Sequence, residues 1–388
     1  MSLLRDFSLS AVVAGFVTVL VGFTSSAVIV FEAAHAVGAG AAEIASWMWA
    51  LGLGMGITCI ALSLRYRMPV VTAWSTPGAA MLITSAAGVS LAHATGAFLV
   101  SALLITVAGF SGWFERAMNR IPLSVASGML AGVLLRFGLD LFFVMRAQFV
   151  MAFAMFVVYL VTRRLVSRYA VIAAFLLGIG IIAAQGTLHL GSVSLELARP
   201  IWVWPMFSVS TVIGVALPLF IVTMASQNVP GVAVIRASGY SIPISPAVGW
   251  TGAANLLLAP FGAFAINLAA ITAAICMGRE AHEDVKRRYV ASVAAGFFYL
   301  LIGLFGATIG ALFAAFPHEL VAAIAGLALI GTIGNALAAA MAAEHEREAA
   351  LVTFLVSASG VSAFGIGSAF WGLSAGALAW LVSRRRAK

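Results

Sequence analysis

The chain is expected to be an all-α membrane protein: about fourteen transmembrane segments in a 7+7 inverted repeat, with one broken strand/half-helix segment in each half. Three observations lead there. Of the 388 residues, 63% are hydrophobic and only 9% charged, with a mean hydropathy of +1.10, against about 25% charged residues in soluble domains. Apolar stretches of spanning length alternate with short polar breaks, and the basic residues gather in every second break. Two stretches, Pro69 to Gly88 and Ala259 to Gly278, are apolar yet interrupted at corresponding places in the two halves.

Divided at its polar breaks, the first half (1–185) yields spans at 10–35, 44–64, 70–88 (broken), 93–114, 121–144, 147–163 and 168–185. A linker at 186–207 follows. The second half (208–388) yields 208–228, 243–258, 260–278 (broken), 289–315, 319–342, 349–359 and 362–382, with soft boundaries around 230–260 and 345–365. The N-terminal apolar run is too long for a signal peptide and lacks a clear cleavage site, so it is expected to be the first span. Gly pairs four apart (Gly52/Gly56, Gly128/Gly132, Gly306/Gly310) permit close helix contacts.

With Arg5 placed inside, eighteen of the 21 basic residues fall on the cytoplasmic side, including Arg279, Lys286, Arg287, Arg288 and the tail Arg384 to Lys388. Arg146 and Arg199 fall outside, and Arg136 lies within a span. The positive-inside rule is thus met with both termini cytoplasmic. The net charge of +8 is topological, and no nucleic-acid partner is implied. Seven spans per half is odd, so the second half starts on the opposite face, the condition for an inverted repeat. The linker then lies outside, with Trp202 and Trp204 suited to the interfacial aromatic belt. Cys59 and Cys276 both sit in apolar segments and read as small buried residues rather than a disulfide or a metal site.

A continuous span needs about 20 apolar residues, but only about eleven follow Asn267 before Gly278. An extended stretch meeting a half-helix near mid-membrane fits better, and Pro69 to Gly88 repeats the pattern, extended up to Thr76-Pro77-Gly78 and helix-like afterwards. Such backbone is tolerated at that depth only where it is buried in protein or lines a cavity. Each half-helix would present unpaired N–H groups and about half a positive charge at its start. Facing each other, the two starts would make an anion site, suited to a carboxylate. Ser75 and Thr76 are candidate caps for the first and Asn267 for the second, with Thr272 a turn deeper. The alternative is that the Pro and Gly residues merely kink ordinary helices; the interruption of both halves argues against it.

Other polar residues stand out against this apolar background. Ser226, Gln227 and Asn228 close the eighth span. Amides in a membrane are costly unless paired, so Gln227 and Asn228 suit either substrate oxygens or the free backbone of the broken segment, with interhelical glue as the plain alternative. Glu32 and His35 are neighbours on one helix face, and Arg136 and Asp140, four apart, can pair. All four lie towards the outer ends of their spans, where a solvated face or a structural ion pair competes with a functional role. Thr24-Ser25-Ser26 interrupts the first span with small hydroxyl residues, which also bond to their own helix backbone. Phe23, Phe31, Trp74, Phe261 and Phe264 lie near the broken segments and suit either core packing or the wall of an aromatic ligand. No nucleophile elbow, zinc-binding helix or phosphate loop is present. Neither an enzyme nor a cofactor or metal is expected, and the energy for transport would come from an ion gradient.

The stretches G-F-T-S-S-A-V-I-V-F-E-A-A-H-A-V-G-A, A-W-S-T-P-G-A-A-M-L, M-L-A-G-V-L-L-R-F-G-L-D, M-A-S-Q-N-V-P-G and A-P-F-G-A-F-A-I-N-L-A-A-I-T-A-A-I-C resemble the benzoate:proton symporter family over nearly the whole chain. The chain is more distantly similar to nucleobase permeases and sulfate-type anion transporters. This resemblance implies a core domain (8–118 and 208–315), a gate domain (119–185 and 316–384), a strand preceding each half-helix of spans 3 and 10, and a dimer. Proton-coupled nucleobase permeases carry acidic residues where Gln227 and Thr272 stand here, and neither of these titrates near neutral pH.

The expectation is a bacterial-type inner-membrane transporter importing benzoate or a related aromatic carboxylate together with a proton, by alternating access. Another organic anion, a nucleobase or sulfate in the same fold, or an anion channel, is the alternative. Residues 75–80 and 265–268 are expected to cradle the carboxylate. The expected substrate-binding residues are Ser25, Trp74, Ser75, Thr76, Gly78, Gln227, Asn228, Phe264, Asn267 and Thr272, with Glu32, His35 and Asp140 as proton-coupling candidates.

Overall fold

A computed structural model describes residues 6–86, 88–166, 169–186, 197–314, 317–361, 363 and 368–386. The first half runs through helices α1 (Leu9–Ala36) and α2 (Ala41–Tyr66), strand β1 (Thr72–Trp74), and helices α3 (Thr76–Ser85), α4 (Leu91–Phe110), α5 (Trp113–Met118), α6 (Leu123–Val144), α7 (Phe149–Val166) and α8 (Ala170–Ala184). The second half follows with α9 (Val209–Ala237), α10 (Ile244–Leu258), strand β2 (Ile266–Leu268), α11 (Ile271–Met277), α12 (Tyr289–Ala314), α13 (His318–Ala340), α14 (Arg347–Ala358) and α15 (Ser368–Arg386). Among the described residues, seven helices are long and apolar enough to cross a membrane. This is a multi-pass membrane protein, and its backbone polar groups must be satisfied internally.

The interrupted stretches meet. β1 and β2 pair antiparallel, Thr72 opposite Leu268, Ala73 opposite Asn267 and Trp74 opposite Ile266. The Ala269 N–H extends the ladder to the Val71 carbonyl at 2.9 Å. Strand backbone at this depth has to be sealed in protein, and Thr72, Ile266, Asn267 and Leu268 are all fully buried. Thr72 ties β1 to α2, its hydroxyl 2.7 Å from that of Thr58 and donating to the Met55 carbonyl at 3.0 Å.

Close helix packing follows the small residues. A Cβ at Gly52 would lie 2.5 Å from the Gly303 nitrogen, and one at Gly56 2.8 Å from the Gly296 carbonyl, so α2 and α12 meet backbone to backbone. Gly128 and Gly132 do the same for α6 against α14, each 2.5 Å from a carbonyl oxygen, those of Ala350 and Phe354. The third expected pair differs: the nearest atom to a Cβ at Gly306 is 3.7 Å away, an ordinary contact, and the side-chain position of Gly310 lies outside the described residues. The linker crosses several elements. Ala198, Ile201, Val203 and Met206 donate their N–H groups to the Leu304 carbonyl, the Ser46 hydroxyl, and the Pro260 and Ala92 carbonyls.

The eighth span is longer than expected. Pro230 lies just beyond the expected end at residue 228, and proline lacks the N–H that a helix interior needs. The helix nevertheless continues to Ala237. A π-helical turn over Met224–Asn228 absorbs the defect, with the Val229 N–H reaching back to the Met224 carbonyl. Single π-turns of this kind concentrate at functional sites.

Candidate functional site

The strand pairing sets both half-helices on one cavity of about 80 Å³. α1 supplies Val21, Gly22 and Ser26 to its wall, the first interrupted stretch Ala73, Trp74 and Thr76, and the second Ala269 to Thr272; Gln227, Phe137 and Tyr299 complete it. None of these lining residues carries a charge.

Each polar member is held by its own element. The Trp74 indole N–H donates to the Ser26 hydroxyl at 2.9 Å, and Ser26 donates to the Gly22 carbonyl of its own helix at 2.9 Å. The Trp74 ring also meets Phe23 edge-on, centroids 5.9 Å apart. At the start of α3, the Ser75 hydroxyl accepts from the Gly78 N–H at 3.1 Å, and the Ser75 carbonyl from the Ala79 N–H at 2.8 Å. Pro77 has no N–H to offer, so within this first turn the Thr76 N–H is the donor left over by the cap. At the start of α11, Ala270 occupies the cap position and no side chain caps the helix. The first-turn N–H groups of Ile271 and Thr272 therefore lack an intrahelical partner and stand beside the cavity that both residues line.

The two amides of α9 differ in their surroundings. Gln227 lines the cavity, whereas Asn228 is fully buried, accepting from the Leu268 N–H at 3.0 Å and donating to the Met224 sulfur at 3.2 Å. Of the alternatives the sequence left open for Asn228, it takes the backbone of the interrupted segment. α9 also lies close to that strand, since a Cβ at Gly231 would sit 2.8 Å from the Leu268 Cβ.

A second cavity, of about 520 Å³, adjoins the first across the shared residues Val21, Phe137 and Ile271. α6 lines it with Arg136 and Asp140, α13 with His318, and Val133, Val321 and Ala325 supply apolar wall.

The family model for benzoate membrane transport proteins matches residues 5–382. The chain belongs to that family. It is 49% identical over 381 residues to the inner membrane protein YdcO of Escherichia coli, covering 98% of this chain and 97% of that protein. It is 39% identical, with the same coverage, to the benzoate membrane transport protein of Acinetobacter baylyi. Among solved structures, that of SLC26A9 superposes with a TM-score of 0.51 at 13% identity, over 98% of this chain and 66% of that one. That likeness concerns the fold alone.

Trp74, Thr76, Gln227 and Thr272 are brought together on the narrow cavity as the sequence suggested. Ser75 and Gly78 do not line it; they are joined to each other in the cap of α3. Asn267 does not cap α11. It sits in β2, four residues before the helix starts, where its amide donates to the Leu268 carbonyl at 3.0 Å. The second-half lining is accordingly 269–272 and not 265–268. Phe264 is fully buried against Trp47 and Phe98, and Phe261 packs on Trp49 and Trp202. The side chain of Ser25 lies outside the described residues. Glu32 and His35 are exposed and line neither cavity. The Arg136–Asp140 ion pair that the spacing allows is not made among the described residues; both residues line the wider cavity instead. Phe137 and Tyr299 escaped the sequence reading. Tyr299, a hydroxyl in the middle of the apolar run of α12, was the one available signal.

Proposed function

We propose that the protein is a secondary transporter that imports benzoate or a related aromatic carboxylate across the inner membrane with a proton, by alternating access. One observation carries this reading: the antiparallel pairing of the two interrupted segments puts the first turns of α3 and α11 on one uncharged cavity beside Gln227. Free N–H groups at helix starts favour an anion, a side-chain amide adds a donor, and the absence of a carboxylate in the lining avoids like-charge repulsion. Trp74, Phe137 and Tyr299 provide aromatic surface for the ring. Membership of the benzoate transport family and the likeness to the benzoate membrane transport protein of Acinetobacter support the substrate class.

The same reading takes the chain as fourteen membrane segments in two inverted halves. Numbering the segments in order, with each strand and half-helix as one, the packed pairs come in sets related by a shift of seven. Segment two packs on eleven and four on nine, six on seven and thirteen on fourteen, one on twelve and five on eight. These pairings support the repeat. The first four also support a core of segments one to four and eight to eleven and a gate of five to seven and twelve to fourteen, and the last two join these groups. Both cavities draw residues from each group, as a site worked by one domain rocking against the other requires. Of the three proton-coupling candidates, Asp140 alone lines a cavity on the substrate path, and we assign it that role.

Uptake of radiolabelled benzoate into vesicles containing the full chain, with and without an inward proton gradient, tests the proposal. Saturable uptake that rises with the gradient, blocked by excess unlabelled aromatic acid but not by uracil or sulfate, is the expected result. Uptake indifferent to the gradient removes the symport step, non-saturating uptake makes the protein a channel, and competition by uracil or sulfate changes the substrate class.

A further inference from the structure

We propose that Arg136 is a reception site for the carboxylate of the incoming substrate, in the wider cavity, ahead of the site between the half-helices. The inference rests on the aromatic-carboxylate reading above and deepens it.

An arginine within an apolar span is expensive and marks a pathway or a partner. The partner its sequence offers is Asp140, one helical turn on, yet no ion pair joins them among the described residues. Both residues instead line the cavity of about 520 Å³, together with His318 of α13. A guanidinium always carries its charge and binds carboxylates through two parallel N–H bonds. Val133, Phe137, Val321 and Ala325 give the same space an apolar wall, so it matches both ends of an aromatic acid. Val21, Phe137 and Ile271 wall both cavities, and the path from one to the other is short.

Asp140 gives this site its selectivity for the protonated state. Ionised, it repels the incoming anion and weakens capture by Arg136; protonated, it leaves the guanidinium unopposed. Arg136, Asp140 and His318 are the ionisable side chains lining the cavity, while α1, α11 and α14 contribute uncharged residues to it. Proton and anion therefore bind together more readily than either binds alone, which is the linkage a symporter needs.

The test is benzoate uptake kinetics in proteoliposomes of the full-length protein, for wild type, Arg136→Gln, Arg136→Lys and Asp140→Asn, each first checked for a monodisperse elution profile. Arg136→Gln is expected to raise KM about tenfold with the maximal rate changed less than twofold, and Arg136→Lys to raise it less, since lysine keeps the charge without the fork. Raising ionic strength should weaken wild-type capture and leave Arg136→Gln unaffected. Asp140→Asn should lower KM severalfold and flatten its rise with pH. A wild-type KM in Arg136→Gln, or a loss of maximal rate at constant KM, overturns the proposal. If Arg136→Gln does not fold, a salt-independent wild-type KM or an unchanged KM in Asp140→Asn overturns it equally. Failure of the wild type to take up benzoate at all is a separate outcome, and it defeats the substrate reading on which this site depends.

Discussion

Gln227 and Asn228 are adjacent in sequence, yet one opens on the narrow cavity and the other is sealed against β2. The two substitutions should therefore fail in different ways. Gln227→Ala removes a donor from the cavity and little else, so benzoate uptake should drop at least tenfold while the thermal unfolding midpoint stays within a few degrees of wild type. Asn228→Ala strands the buried Leu268 N–H, a loss of about 1–3 kcal/mol for an unsatisfied group, and should lower the unfolding midpoint as well as uptake. Paired melting and uptake curves for the two variants check this, and a stable, active Asn228→Ala protein would contradict the anchoring role. Composition alone could not separate these residues, because both are amides in an apolar helix. Neighbours on a helix point about 100° apart, and which of the two faces the cavity is decided by how α9 packs on β2. Asn267 misled for a related reason. Asparagine is a good N-cap, but pairing with β1 holds it in a strand, and the helix starts only at Ile271.

Among the elements, what the sequence revealed was where the chain breaks, and what it concealed was how the breaks meet. Thr76-Pro77-Gly78 locates the start of α3 because proline is tolerated in a first turn and glycine allows close approach: a Cβ at Gly78 would come within 2.8 Å of the Ser75 hydroxyl. The register of β1 on β2 is a tertiary fact, joining residues nearly two hundred positions apart. The same holds for α9, which runs past Pro230 by way of a π-turn. Pro230→Ala restores an N–H and should let the helix revert towards α geometry, turning Gln227 away from the cavity. Reduced benzoate uptake with equal or greater thermal stability is the expected outcome, and undiminished uptake would show that the π-turn does not position Gln227. On α2, Gly56→Leu forces a side chain into the backbone of α12, where only 2.8 Å is available for the first carbon. Overpacking of a close-packed contact costs about 1–3 kcal/mol or more, so poor yield or a lowered melting point should follow, measurable by size-exclusion chromatography and thermal melts.

For the molecule as a whole, hydropathy made the membrane character legible, because the bilayer imposes it directly. The cavities were not legible. They depend on which helices lie across from one another, so Tyr299, Phe137 and the opening of Arg136 onto the wider space emerge only from the packing. The narrow cavity lies between half-helices from opposite halves of the chain. On the proposed mechanism, an anion held there would be exposed to either side in turn by relative movement of the two proposed domains. A structure of the purified protein with bound benzoate measures this most directly. The account predicts carboxylate density within hydrogen-bond distance of the Thr76 and Ile271–Thr272 amides and of Gln227, with the ring against the surrounding aromatic side chains. Benzoate bound away from both half-helix starts, leaving those amides to solvent or protein, would contradict it.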